Sequence, residues 1–281
     1  MTRPLVPTNR FFVSSDFSLY YRRARHLDWK NQVAADYGLL SIISGELTSI
    51  LTDQPFELRE SQSLIIEPNV SIDATGKNLE FLFLTLSPAL VMEKAIAMRL
   101  IAPQSTVTFK ERTIQTDHNL QHLLNNFVSE LMDAEPGKEI VMRALSEQAL
   151  VHLLRKHATT RRSDELELSR VGLVDRRIRR SMELMHAQLD QDLSLRALAA
   201  ASYLSPFHFS RLFKKLTGVT PHNYLAAIRA SRAQLLLAET GMSVTEIGSR
   251  VGYLSASHFT KAFRLATGTT PREFRKALVP R

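Results

Sequence analysis

Between Tyr37 and Leu86 the apolar residues come in short β-prone runs broken by turn residues. Leu39–Ile43 precedes Ser44-Gly45, Leu47–Leu51 precedes Thr52-Asp53, Ser63–Ile66 precedes Glu67-Pro68-Asn69, and Leu79–Leu86 precedes Pro88. Runs of this length and spacing predict a small antiparallel barrel or sandwich. The period then changes. Leu120, Leu123, Leu124, Phe127, Val128 and Leu131 follow the stripe of an amphipathic helix, which Pro136-Gly137 ends. A second helix is predicted from about Lys138 to Lys156, with Met142, Leu145, Ala149 and Leu153 on one side. The polar stretch Ala158–Asp175 lacks a stable period and reads as a linker between a domain at 1–165 and another at 176–281. From Arg176 onward, breaks at Asp190–Leu193, Tyr203–Pro206, Gly218–Pro221, Thr240–Ser243, Gly252–Ser255 and Gly268–Pro271 divide the chain into seven helices of 8–19 residues. The second half is therefore expected to be a compact all-α domain.

Within that half the chain repeats itself. The stretch Tyr203–Pro221 recurs as Tyr253–Pro271, with ten of nineteen positions identical at an offset of 50. Ser210/Thr260, Arg211/Lys261 and Lys214/Arg264 exchange like for like. Upstream the offset is 49, where Ser194, Leu195 and Leu198 face Ser243, Val244 and Ile247, so the second copy has one extra residue in its turn. Each copy reads as a helix-turn-helix, over about 195–216 and 244–266. A serine can cap the first helix, and Ser205 or Ser255 the second. Phe209/Phe213 and Phe259/Phe263, four apart, face inward; Ser210, Arg211 and Lys214, then Thr260, Lys261 and Arg264, face outward. A helix with guanidinium, ammonium and hydroxyl groups on its outer face is what a major groove about 12 Å wide admits. Pro221 suits the first position of a helix running to about Glu239. Its nineteen residues span roughly 28 Å. That length could hold two recognition helices about one DNA turn, roughly 34 Å, apart.

Charge follows the same division. Residues 1–175 hold 19 Lys+Arg and 22 Asp+Glu, a net of −3; residues 176–281 hold 17 and 6, a net of +11. All the excess positive charge of this 281-residue chain sits in its second half, which suits a polyanionic partner. A membrane surface is the weaker alternative, because the basic positions recur in short duplicated helices rather than along one basic amphipathic helix. No apolar run approaches a bilayer-spanning length, and MTRPLVPTNR lacks the apolar core of a signal peptide. The chain has no cysteine, which removes disulfides, thiol catalysis and cysteine-bound zinc together. A cytoplasmic location without membrane association is the expectation.

Residues 176–278 resemble the DNA-binding domain of the AraC/XylS family of bacterial transcription regulators. The likeness is carried by both helix-turn-helix units, the joining helix, the run Gly252-Tyr253-Leu254-Ser255 with Phe259, the Phe263–Gly268–Pro271 spacing, and Thr270-Pro271 with Phe274. It implies base contacts from Pro206, Phe207, Ser210 and Arg211 in the first recognition helix, and from Ala256, Ser257, Thr260 and Lys261 in the second. It places Lys214, Lys215, Arg264, Ser205 and Ser255 against phosphates. The smaller groups of the second helix imply a weaker sequence readout. Residues 1–165 are similar to the cupin-like sensor and dimerisation domains of such regulators, through Gly38–Gly45, Glu67-Pro68 and the two following helices. The overall expectation is a two-domain chain: a mainly-β cupin-like barrel followed by helices, then an all-α domain with two helix-turn-helix units on a long helix. The resemblance implies double-stranded promoter DNA and RNA polymerase as partners, activation more than repression, and a homodimer through helices at about 119–157. It leaves open whether an unknown small molecule or a partner protein is the effector, and it implies no cofactor.

Other residues carry less. His118 and His122 have metal-compatible helical spacing but no evident third ligand, and read as a partly exposed face. His208 and His258 suit packing or phosphate contact. The Leu120–Leu131 stripe suits core, dimer interface or both. Arg176, Arg177, Arg179 and Arg180 suit phosphate contact or solvated surface alike. Arg22, Arg23, Arg25 and His26 could recognise an anionic effector, with a polar surface the simpler reading. No phosphate-binding glycine loop, His-Glu-x-x-His or Gly-x-Ser-x-Gly is present. A cupin-type enzyme with an appended DNA-binding module is thus the less favoured alternative, and no catalytic residue is expected.

Overall fold

The computed structural model of the chain describes residues 7–51, 54–68, 70–101, 107–133, 135–159, 176–191, 193–217 and 219–279. The expected turn at Thr52-Asp53, the residues Asn69 and Gly218, and the greater part of the 158–175 linker lie outside them, as do the side chains of Arg176 and Arg179.

The N-terminal half is built on strands β1 (Thr8–Val13), β2 (Phe17–Val33), β3 (Tyr37–Leu51), β4 (Gln54–Leu58), β5 (Gln62–Ile66), β6 (Ser71–Leu86) and β8 (Thr113–Gln115). They form one antiparallel sheet in the order β1-β2-β6-β3-β5-β8, with β4 beside β3. A separate short pair joins β7 (Thr108–Phe109) to β9 (Ala158–Thr159).

Two runs expected as separate strands, Leu39–Ile43 and Leu47–Leu51, are one strand. The register of β3 against β6 shifts between Ile42 and Ser44 and again before Glu46, where Gly45 has φ +88°. Such bulges change which face each residue takes. Leu40, Ile42 and Leu47 therefore all point into one strand-enclosed core with Trp29, Leu64, Ile66, Leu79 and Phe81, although 42 and 47 differ in parity. The Ser44-Gly45 signal is a kink in a long strand rather than its end. Strands β1 and β2 are additions to the expectation; in β2 the charged residues Arg22, Arg23, Arg25 and His26 break the apolar alternation.

The other core packs the sheet against helices α1 (Pro88–Ala97), α2 (His118–Met132) and α3 (Lys138–His157). Helix α1 is an addition to the expectation; Ser87 caps it and Pro88 opens it. Asp117 caps α2 by accepting from the Leu120 amide at 2.9 Å, and its carboxylate also pairs with Lys156 of α3. Lys156 draws the acid below the usual range against a larger opposing effect of burial, so capping and ion pairing tie the two helices. Leu120, Leu124, Phe127 and Leu131 are buried within the chain, so this stripe is core.

Seven helices follow among the described residues: α4 (Arg176–Ala187), α5 (Leu195–Ala201), α6 (Pro206–Thr217), α7 (Pro221–Glu239), α8 (Val244–Arg250), α9 (Ala256–Thr267) and α10 (Pro271–Ala277). The first part of α7 shares a core with α4, α5 and α6, including Phe209, Phe213, Tyr224 and Ile228. Its second part shares another with α8, α9 and α10, including Leu237, Ile247, Phe259, Phe263 and Phe274.

That last core also contains Phe11 and Val13 of β1. Phe11 stacks on Phe274 with centroids 4.7 Å apart, and the Val279 amide donates to the Phe11 carbonyl at 2.9 Å. The Tyr20 hydroxyl donates to Gln234 of α7 at 2.8 Å. The second helix-turn-helix is thus welded to the sheet, whereas the first is built on a core of α4–α7 residues, against which Ala35 in the turn between β2 and β3 also packs.

Candidate nucleic-acid interface and the cavity behind it

Each helix-turn-helix is set by the same local devices. Ser194 caps α5 by accepting from the Ala197 amide at 3.1 Å; Ser243 caps α8 in a reciprocal box with Glu246. At the far end of each recognition helix a threonine closes the turn. Thr217 donates to the Phe213 carbonyl at 2.8 Å, and Thr267 to that of Phe263 at 2.9 Å. Thr220 and Thr270 then cap α7 and α10, each with proline in the first turn.

The inserted residue lies in the turn. In each copy the residue after the α5 or α8 C-cap is left-handed: Tyr203 at φ +54°, Gly252 at φ +86°. Tyr203 occupies that position itself and is thrown outward, 76% exposed, under the Arg180 guanidinium at 5.4 Å. In the second copy glycine takes the left-handed position, which favours it. Tyr253 is then free to turn inward, where it packs on Phe259 and His258. Arg229 of α7 lies over the Tyr253 ring at 5.3 Å and donates to the Leu189 and Gln191 carbonyls at 2.9 and 2.8 Å. Two aligned tyrosines thus do different work.

On α6, Ser205, Pro206, Phe207, Arg211, Lys214 and Lys215 are exposed and Ser210 half-buried, while Phe209 and Phe213 are buried. On α9, Ser255, Ser257, Lys261 and Arg264 are exposed and Ala256 and Thr260 half-buried. The residues expected to meet DNA therefore share one outward face on each helix. Ser205 and Ser255 also serve as caps, their hydroxyls accepting from the His208 and His258 amides at 3.4 and 3.2 Å. Phe207 is 78% exposed and Leu254 99%, apolar side chains without packing partners beside basic ones. Leu254, in the turn before α9, belongs to the Gly252–Ser255 run that carries the family likeness.

Behind α9, between the sheet and helices α7 and α9, lies a cavity of about 120 Å³. Phe11, Tyr20, Phe83, Trp29, Arg22 and Asp36 contribute from the sheet side, with Gln234 and Thr267 opposite. Here Arg22 departs from the simpler reading of its cluster as polar surface. Its guanidinium is buried at the seam, which holds its pKa below the usual value. Arg23 instead pairs with Glu80 at 3.0 Å, and Arg25 and His26 face solvent. Burial pushes the Asp36 carboxyl up to about 6. His118 and His122 are exposed, and among the described residues no three metal-ligating side chains cluster. No described helix is long and apolar enough to cross a membrane.

Residues 198–277 match the family model described as a helix-turn-helix domain. These residues form an AraC-type helix-turn-helix domain. An uncharacterised HTH-type transcriptional regulator of Haemophilus influenzae is 29% identical over 136 residues, which are 48% of this chain and 45% of that protein. The chain spans less than half the length of the first curated relatives it matches. Its fold is shared over nearly its full length with ToxT of Vibrio cholerae: TM-score 0.62 at 15% identity, covering 95% of this chain and 100% of that one. A ToxT structure bound to an unsaturated fatty acid gives 0.59 at 13%, covering 99% and 98%.

Proposed function

We propose that this protein is a sequence-specific DNA-binding transcription regulator of the AraC family, an activator, that reads two successive major grooves of promoter DNA with α6 and α9. The observation that carries the reading is the duplicated recognition face: two helices with exposed polar and basic positions, held by the two ends of the single helix α7. Pro206, Phe207, Ser210, Arg211, Ala256, Ser257, Thr260 and Lys261 meet base edges; Phe207 suits a thymine methyl and Arg211 a guanine. Lys214, Lys215, Arg264, Ser205 and Ser255 meet phosphates, which supply most of the salt-sensitive affinity.

The seam cavity holds a small-molecule effector, as the fatty acid-bound relative of the same fold supports. Because α9 lines this cavity, an effector would reach the second reading head directly. A partner protein acting on the sheet half is the second reading. The protein works in the cytoplasm as a homodimer through α2 and α3, where Ile140 and Val141 leave apolar surface exposed, and it contacts RNA polymerase at its promoters. Genomic site selection with the purified chain, followed by titration of the best site against random DNA, tests the reading. Two preferred blocks about one helical turn apart are expected. Equal affinity for all sequences would overturn it.

A further inference from the structure

Resting on that effector reading, we propose that the seam cavity selects a small organic cation, an ammonium or quaternary ammonium group held by the Asp36 carboxylate among aromatic rings. Two charged side chains line the cavity, Arg22 and Asp36, and they are placed differently. Arg22 is directed at the junction of α9 and α10. Its Nε–H donates to Asn9 Oδ1 at 3.2 Å, and its Nη1 is closed off from solvent, 2.9 Å from where a Cβ on Gly268 would sit. Glu273 is the acid whose charge acts on it. Neither Gly268 nor Glu273 lines the cavity. Asp36 has no such compensation. Among the described residues no donor or cation pairs with its carboxylate, and burial alone pushes its pKa up to about 6. At neutral pH it is therefore mostly an anion without a partner. A carboxylate drawn out of water in this way is costly, and a cation in the cavity would offset that cost.

The rest of the wall fits the same guest. Phe11, Tyr20, Phe83 and Trp29 line the cavity as a contiguous run of rings, with successive centroids 5.3, 6.0 and 6.0 Å apart. The Tyr20 hydroxyl is spent on Gln234, so this run offers the guest mainly its π surface. Aromatic rings attract a desolvated ammonium group, most of all a quaternary one, and the carboxylate beside them repels an acid. About 120 Å³ is close to the ~150 Å³ apolar cavity that holds a benzene, which sets the guest at a trimethylammonium head or a single ring.

Such a guest would touch both readers. Asp36 lies in the turn between β2 and β3, whose Ala35 packs on the core of the first unit. Ala230, Ser231 and Gln234 of α7 and Thr267 of α9 line the same cavity. Occupancy therefore fixes this turn against α7 and the end of α9, which couples the ligand to the placing of the two recognition helices.

The test titrates the full chain by calorimetry with choline and benzylamine, with 3,3-dimethylbutan-1-ol and benzyl alcohol as neutral matches and phenylacetate as the acid. At least one cation should bind about tenfold or more tightly than its neutral match, and should alter affinity for the selected DNA site. Asp36→Asn should remove about tenfold or more of the cation affinity while leaving the alcohols within about twofold, and Asp36→Glu should keep the preference for the cation. Equal binding of cation and alcohol, or tighter binding of phenylacetate, would overturn the charge assignment and leave the effector cavity standing. Failure of all five to bind a chain that still selects its DNA site would overturn both.

Discussion

The two helix-turn-helix units share ten of nineteen residues over their second helices, yet they are built into the molecule differently. The first stands on a core of α4–α7 residues, presents Arg211, Lys214 and Lys215, and exposes an aromatic ring at Phe207. The second shares its core with β1, offers smaller side chains, and ends against Arg22 and Trp29 of the sheet. Duplication supplied two similar recognition helices, and docking ties one of them to the sheet. Specificity should therefore lie mainly in α6, and regulation mainly in α9.

The harshest test of that division cuts the helix that joins the readers. Ala230 is buried near the middle of α7, and Ala230→Pro removes a backbone bond at a cost of about 3 kcal/mol or more. Specific binding, measured by titration against the selected site, should fall at least 100-fold, because the two heads lose their fixed spacing.

Phe274→Ala attacks the weld between the second unit and β1. The ring is fully buried against Phe11 and Phe263, so a loss of about 3–5 kcal/mol is expected in denaturant unfolding. Effector-dependent changes in DNA affinity should vanish with it.

Comparing Arg211→Ala with Lys261→Ala probes the readers themselves. The first should cost about 1–3 kcal/mol and relax one base position; the second should cost less, both read by affinity across a site library. Lys214→Ala should instead weaken all DNA alike and lower the salt slope by about 1.

A smaller effect comes from Asp36. Its carboxyl, raised by burial from 3.8 to about 6, binds its proton more tightly in the folded chain. Burial chiefly raises the Tyr20 and Tyr224 hydroxyls, the Asp36 charge adds to both, and Arg22 lines the same cavity. Stability should thus be greatest at low pH with respect to this group and decline as pH rises from about 4 through about 6, by at most about 3 kcal/mol. Asp36→Asn should flatten that part of the stability profile in thermal melts.

The least effect separates the two turns. Tyr203→Gly relieves a left-handed tyrosine but loses its contact with Arg180, so thermal stability should change by no more than about 1 kcal/mol. Gly252→Ala is strained by φ +86° and would also meet the Leu189 carbonyl at 2.5 Å, so it should destabilise clearly.

The C-terminal architecture was legible because each device is local. Caps at Ser194, Ser243, Thr220 and Thr270, the phenylalanine pairs and the one-residue insertion are all written within a few residues of where they act. The sheet half was legible only as a class. Long bulged strands such as β3 resemble two short ones, and charged β2 hides its alternation because Arg22 turns inward while Arg25 and His26 do not. The cavity was not legible at all. Phe11, Arg22, Gln234 and Gly268 come together only through long-range docking, which no local period records.

The most direct test of the central claim, a two-groove reader with unequal heads, is high-resolution footprinting of the purified chain on its selected site. Two protected blocks about one helical turn apart are expected, with the block lost in Arg211→Ala showing the tighter base preference. A single block, or two blocks of equal stringency unaffected by Arg211→Ala, would contradict it.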